Sequence, residues 1–295
     1  MKPHPSLFLF AGLALAALAG CSRTDKNPPA TATAAPMEHP LTGEVIAVTP
    51  ARSAVLVHHE EIPGYMPPMT MEFLASPADL ARLKEGQRIR ARMTQDTKGD
   101  LHLEAIELID PVKEREVTAA ANLLRQDTSA RGKGAYREVG ETVPQFTLYN
   151  QDGEVVSINR FRGRRVVLNF IYTRCPIATM CPASTLRMMA LQQAVRDQGV
   201  RNLELVSITL DPAYDTPSVL KDYARVRGID TANFTFLTGP EGAVRDLLHQ
   251  FGVIVQPGDN DLKHTLATLL IDEQGKIVHR VDGTAWEPQE FLRRL

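Results

Sequence analysis

The chain has 295 residues, long enough for two domains each with its own core, and is 43% hydrophobic and 23% charged with a formal net charge of −2. Charges this evenly balanced give no reason to expect nucleic acid or an acidic ligand as a partner. Only three cysteines are present, so the position of each one is informative.

The first twenty residues differ from the rest. Lys2 precedes an apolar run from Leu7 to Leu18, which ends in Leu18-Ala19-Gly20-Cys21. The run is short for a membrane span and has the layout of a secretory signal, residues 1–20. Leu-Ala-Gly-Cys resembles a bacterial lipobox. That resemblance implies a lipidated Cys21, a membrane anchor and an envelope protein facing the periplasm, with inner and outer membrane both open. An ordinary cleaved signal that carries a cysteine is the alternative. Residues 21–38, rich in Pro, Ala and Thr, read as a flexible tether.

From 39 to 109 the pattern is β. Residues 43–48, 54–59, 69–73, 87–93 and 101–106 alternate apolar and polar side chains between Gly, Pro and Asp turns. Five short strands predict a small closed, OB-like β-barrel, with a helical piece near Pro77–Leu83. Met69 and Met71 are two apart on one strand and share a face, and Pro63-Gly64 can fold His59 back toward them. Two thioethers and an imidazole select Cu(I) over harder cations, although a Met-x-Met pair alone also serves as core filling. The stretch His58-His59 through Met69-Thr70-Met71-Glu72-Phe73 resembles the copper motif of CusF-type periplasmic copper-binding domains. Met66 stands near the place of that family's copper-covering tryptophan, in a segment one residue shorter, and is a candidate third thioether. His59 shares a face with Val55 and Val57; a register slip would exchange it for His58.

Residues 110–138 turn charged and read as a linker, with a helix over Lys113–Leu124. From 139 to 295 strands and helices alternate. The strand 166–171 precedes a helix from about Ala183, with Leu186, Met189, Ala190 and Ala194 on one face; the strand 203–210 precedes a helix capped by Thr216-Pro217. A short strand (234–237), a helix (243–251), a hairpin around Asp272–Gly275 and a last helix near Pro288 follow. This order predicts a thioredoxin-like α/β domain, so the chain as a whole is a multidomain protein.

Cys175 and Cys181 lie where the strand 166–171 passes into the helix. A helix N-terminus favours thiolate and lowers a cysteine's pKa. With Cys21 lipidated, these two have only each other, for a disulfide, a metal, or upkeep by a reducing partner. The run Val166–Pro176, Cys181-Pro182, Ser207–Pro212, Asp215-Thr216-Pro217 and His264-Thr265 resemble the Sco (SenC-type) family in order and spacing. The resemblance implies that Cys175, Cys181 and His264 bind copper; Asp211 resembles the family's Asp-Pro and either orients the site or simply caps a loop. The resemblance also implies delivery to the dinuclear copper centre of cytochrome c oxidase. This chain has five residues between the cysteines where the family's commonest spacing has three. Two thiolates and an imidazole suit Cu(I), with Cu(II) left open, whereas structural zinc wants a fourth protein ligand. A plain disulfide with His264 as a loop residue is the bland reading.

Together these features predict an envelope metallochaperone, with the question of an enzymatic thiol-disulfide activity left open. It passes copper from the barrel to the second domain and on to an apo acceptor such as an oxidase subunit. The alternatives are a thiol-disulfide oxidoreductase that keeps acceptor cysteines reduced, and copper sequestration for tolerance.

Overall fold

The computed structural model describes residues 38–132, 134–258 and 262–295. The signal segment, Cys21 and nearly all of the tether lie outside the described residues.

The N-terminal half is β1 (Glu38–Thr49), β2 (Ala54–His59), β3 (Met69–Ala75), a one-turn helix α1 (Pro77–Leu80), β4 (Arg88–Gln95) and β5 (Leu101–Leu108). Each strand matches an alternating stretch of sequence to within a few residues, except that β1 begins earlier, at Glu38. The strand pairing closes on itself in the order β1-β2-β3-β5-β4, because β1 pairs with both β2 and β4. Alternation drives this closure by sending Leu41, Val45, Val55, Val57, Phe73, Ile89, Met93 and Leu103 into one buried interior. Gly43 is required where β1 passes His59: a Cβ there would stand 2.7 Å from the His58 carbonyl oxygen and 2.9 Å from the His59 Cα.

α2 (Pro111–Arg131) occupies most of the stretch expected as a linker and runs well beyond the expected helix. Asp110 caps it by accepting from the Val112 and Lys113 amides. Leu124 enters the core of the second half. Arg125 pairs with Asp246 at 2.5 Å, and Asp127 accepts from Arg137 at 2.7 Å and from Gln250 at 2.8 Å. At its start, Glu114 faces Arg88 at 3.8 Å and Lys113 pairs with Glu154 at 2.9 Å.

The second half contains β6 (Thr147–Asn150), β7 (Val155–Ser157), β8 (Arg165–Ile171), α3 (Cys181–Asp197), β9 (Leu203–Thr209), α4 (Pro217–Val226) and β10 (Phe234–Thr238). It continues through α5 (Glu241–Gln250), β11 (Val255–Pro257), β12 (Leu262–His264), β13 (Ala267–Ile271), β14 (Ile277–Asp282) and α6 (Pro288–Leu292). Seven strands form one sheet in the order β14-β13-β8-β9-β10-β6-β7, and β11 pairs with β12 alone. β8, β9 and β10 are parallel, while β13 joins β8 antiparallel and turns into β14. Strands buried on both faces read as continuous apolar runs, which is why β8 and β9 stand out in the sequence. The strand and helix order is thioredoxin-like, and it puts the C-terminal end of β8 at the start of α3.

The buried face of α3 differs from the expected one. Leu186 is 64% exposed, and the helix buries Ser184, Thr185, Met188, Leu191, Gln192 and Val195 instead. Polar partners set this rotation. Ser184 accepts from the buried Asn169 amide at 2.9 Å, Ser207 donates to the same Asn169 at 2.5 Å, and Thr185 meets the Tyr223 hydroxyl at 2.8 Å. Hydrophobic periodicity does not register serine and threonine as core residues.

Candidate metal centres

Cys175 follows β8 in a short loop, and Cys181 is the first residue of α3. His264 comes from the far side, at the end of β12, which is held in place by pairing with Val255 of β11. The three donor atoms, two Sγ and one imidazole nitrogen, all lie within 4.8 Å of one another. Among the described residues no other group of three or more His, Cys, Asp or Glu comes together in this way. His264 Nε2 sits 3.6 Å from Cys181 Sγ, while its Nδ1 lies 3.1 Å from the Thr265 carbonyl oxygen. With Nδ1 protonated and donating there, Nε2 faces the sulfurs with its lone pair. Both cysteines are free thiols. The five-residue spacing therefore does not keep the sulfurs apart.

The protonation state of Cys181 departs from the sequence expectation. It stands at a helix N-terminus, yet burial pushes its thiol up, and the nearby Cys175 adds to the rise. Desolvation of a fully buried sulfur outweighs the helix dipole. The buried thiol therefore keeps its proton near neutral pH. Tyr172 walls the site: its ring meets the His264 imidazole edge-on at 5.4 Å, and burial followed by its hydrogen bond to Cys175 pushes its phenol up to about 12.

Asp211 lies beside the loop and is not one of the three grouped donors. Its carboxylate accepts from Arg174, the residue before Cys175, at 2.8 Å. Asp215, which sequence reasoning passed over except as part of a motif, is fully buried beneath the same loop. It accepts from the Thr173 amide at 3.1 Å, from the Thr173 hydroxyl, and from the Thr209 hydroxyl at 2.6 Å. These bonds tie the start of the cysteine loop to the end of β9. Burial raises the Asp215 carboxyl to about 6, against the lowering effect of those hydrogen bonds. A buried aspartate among threonines carries no periodic signal; its three donors become visible only once β8 and β9 lie side by side.

In the N-terminal half, β2 and β3 are paired so that His59 stands opposite Met69 and Val57 opposite Met71. Residues opposite each other share a face, so His59, Met69 and Met71 are on one face with Phe73. His58 is opposite Thr70, on the other face, and its Nδ1 lies 2.8 Å from the Thr70 hydroxyl. His59 is buried; its Nδ1 lies 2.7 Å from the Glu60 carbonyl oxygen, and its Nε2 has no hydrogen-bond partner. Met69 is 43% exposed, so this face ends at the surface. Met66 closes a tight turn by exchanging backbone hydrogen bonds with Ile62, and its side chain packs on the interior partly buried. An orphaned imidazole nitrogen beside two thioethers is a donor set suited to a soft monovalent cation.

His279 pairs with Glu290 at 2.8 Å, and Trp286 is buried edge-on against Phe291 at 4.8 Å, so both serve packing. Among the described residues, no helix is long and apolar enough to cross a membrane.

Comparison with known proteins fits this division. The SCO1/SenC family model matches residues 134–295, and the model described as copper binding periplasmic protein CusF matches residues 38–108. A SCO2-like protein of Rickettsia typhi is 32% identical over 165 residues, covering 53% of this chain and 77% of its own. The SCO1 protein homolog of Bacillus subtilis is 30% identical over 154 residues, covering 51% and 78%. A solved SCO1/SenC family lipoprotein from Bacillus anthracis is 27% identical and covers 54% of this chain and 96% of its own, with a TM-score of 0.48. The chain belongs to the SCO1/SenC family and carries a CusF-type domain on its N-terminal side.

Proposed function

We propose that this protein is a copper metallochaperone of the bacterial envelope. It takes up Cu(I) at His59, Met69 and Met71 of an OB-like barrel and passes it to Cys175, Cys181 and His264, which give it to an apo acceptor such as a cytochrome c oxidase subunit. The observation that carries this reading is the convergence of two free thiols and one imidazole within 4.8 Å. Such a low-coordination, sulfur-rich set suits Cu(I), and among the described residues no further His, Cys, Asp or Glu joins the group as structural zinc would require. Family membership and the CusF match agree with copper as cargo. Met66 is a third thioether on the barrel side, and Asp211 acts on the second site through Arg174.

Binding Cu(I) at the second site displaces the thiol protons, so transfer is a ligand exchange with proton release and no change in copper charge. Periplasmic placement through a lipid at Cys21 belongs to the same proposal, as does a thiol reductant that keeps the pair reduced.

The test is an anaerobic Cu(I) titration of the reduced chain, starting after Cys21, against a competing chelator. Two tight equivalents should fall to one in Cys175→Ser/Cys181→Ser. One equivalent retained by that variant would remove copper from the second half. The closeness of the two sulfurs also favours a second reading, a dithiol reductant. In that reading Cys175 attacks an acceptor disulfide, Cys181 resolves the mixed disulfide, and the acceptor leaves with two thiols while the pair is oxidised. His264→Ala should spare that exchange and abolish copper transfer.

A further inference from the structure

The end of the second half's sheet that lies away from the cysteines gathers positive charge that the copper chemistry does not use. β8 starts there at Arg165 and delivers Cys175 from its other end, about 20 Å away. α3 runs back from Cys181 to Asp197 over about 25 Å. β13 is antiparallel to β8, so the turn at Asp272–Gly275 returns to the Arg165 end while His264 stays with the cysteines.

At this end the run Arg160-Phe161-Arg162-Gly163-Arg164-Arg165 buries Phe161 and leaves Arg160, Arg162 and Arg164 exposed. Hydrogen bonds draw other basic segments to the same place. The Gly163 amide donates to the Glu273 carbonyl at 2.9 Å, and the Arg162 guanidinium donates to the Gln274 carbonyl. Arg165 reaches the Arg294 carbonyl at 3.3 Å. Arg164, Arg196 and Arg201 line one cavity of about 350 Å³ with Glu204 and Asp230. Three of these cations are paired, Arg164 with Glu204, Arg165 with Glu273 and Arg196 with Asp230. Among the described residues, Arg160, Arg162, Arg201, Lys276, Arg293 and Arg294 have no carboxylate partner. Asp197 and Asp272 oppose them, but their carboxylates accept from the Gln193 side chain and from the Gln274 and Lys276 amides. The whole chain carries −2, so a positive end is a separation of charge and not a reflection of composition.

We propose that this end is a docking face for anionic phospholipid headgroups, one that turns the cysteine site away from the bilayer holding the chain. The inference rests on the envelope placement proposed above and not on copper. Residues 22–37 span at most about 55 Å when extended. They join the fold at Glu38, which lines a cavity with Arg174, the residue before Cys175. The tether alone therefore lets either end of the sheet meet the lipid, and charge decides between them. A bilayer presents its phosphates as a plane, which suits cations spread over several segments better than a pocket would. Guanidinium groups bind phosphate oxygens in pairs, and each basic residue near an anionic surface strengthens binding by about fivefold.

The test is co-sedimentation of the reduced, metal-free chain, starting after Cys21, with vesicles of phosphatidylcholine alone or of an equal mixture with phosphatidylglycerol. Binding is expected to the mixture only and should weaken as salt is raised. Arg160→Gln/Arg201→Gln/Arg293→Gln removes three side chains that have no hydrogen bond or ion pair among the described residues. It should weaken binding by about a hundredfold. Lys84→Gln/Lys98→Gln/Arg115→Gln takes the same charge from exposed sites on the barrel and α2 and should leave binding within about twofold. An equal loss in both triple variants would reduce the effect to overall charge and overturn the docking face. Binding retained by the first variant, or no binding by the unaltered chain, would overturn it as well. The chain used carries no lipid, so these outcomes stand apart from envelope placement, which fails separately if mass spectrometry of the full chain expressed in bacteria finds no lipid on Cys21.

Discussion

Asp215 gives the sharpest test of the reasoning about the cysteine loop. Its carboxyl is fully buried, and burial raises it from an ordinary 3.8 to about 6. Each pKa unit corresponds to about 1.4 kcal/mol, so ionising this group costs the folded state roughly 3 kcal/mol more than the unfolded chain. The sign follows from proton counts. Between pH 4 and 6 the folded protein holds more of this proton than the unfolded chain, so stability falls as pH rises through that window. The contribution is fully present below about pH 4 and gone above about pH 6. Asp215→Asn removes the titration while keeping an oxygen to accept from Thr173 and an amide to meet Thr209. Urea unfolding of the reduced, metal-free protein and of the variant, at pH 4.5, 5.5, 6.5 and 7.5, isolates this group because all other titrations cancel in the difference. Across this series the variant should gain on the wild type by roughly 2 kcal/mol, the part of the effect that falls above pH 4.5. A constant difference across the series would refute the account of Asp215 as a desolvated acid.

Other expectations follow from the barrel and the core. His59→Ala should weaken the barrel's Cu(I) affinity by roughly tenfold or more in a chelator competition, whereas His58→Ala, on the outer face with Thr70, should leave it within about twofold. Gly43→Ala should lower the thermal stability of the closed sheet and weaken the same affinity, because the new methyl displaces the backbone of His58 and His59; unaltered binding would show that His59 does not depend on that close approach. Ser184→Ala strips a partner from the fully buried Asn169 and should cost about 1–3 kcal/mol by denaturant unfolding, with Asn169→Val/Ser184→Ala recovering part of it.

The strands of the N-terminal half were legible because alternation with a period of two is a direct imprint of a one-sided interior. The same alternation, carried through the β2–β3 register, settles which histidine shares a face with Met69 and Met71. The convergence of Cys175, Cys181 and His264 was legible only through family resemblance, since His264 is 83 residues from Cys181 and no local pattern links them. β11 and β12 escaped notice because three-residue strands are too short to alternate. The rotation of α3 and the anchoring by Asp215 escaped for a common reason: both depend on buried polar side chains whose partners come from other elements. The raised thiol of Cys181 shows the limit of reading a helix start as a charge: depth of burial decides, and the sequence does not state depth.

The helix α2 changes what the joining of the two halves means. A loose tether would let a copper donor and acceptor search for one another, and their exchange would scale with tether length. Here Asp110 starts the helix, ion pairs fasten it along its length, and Leu124 is part of the second half's core. The span between the halves is therefore written into the architecture, as the length of a strut is in a frame. Cutting the chain at the family boundary near residue 134 would not release two independent modules, because the C-terminal piece would lose the wall that covers α5 and the partners of Asp246 and Gln250. For the same reason the two halves change address together: grafting this barrel onto another chaperone would mean transplanting the helix as well.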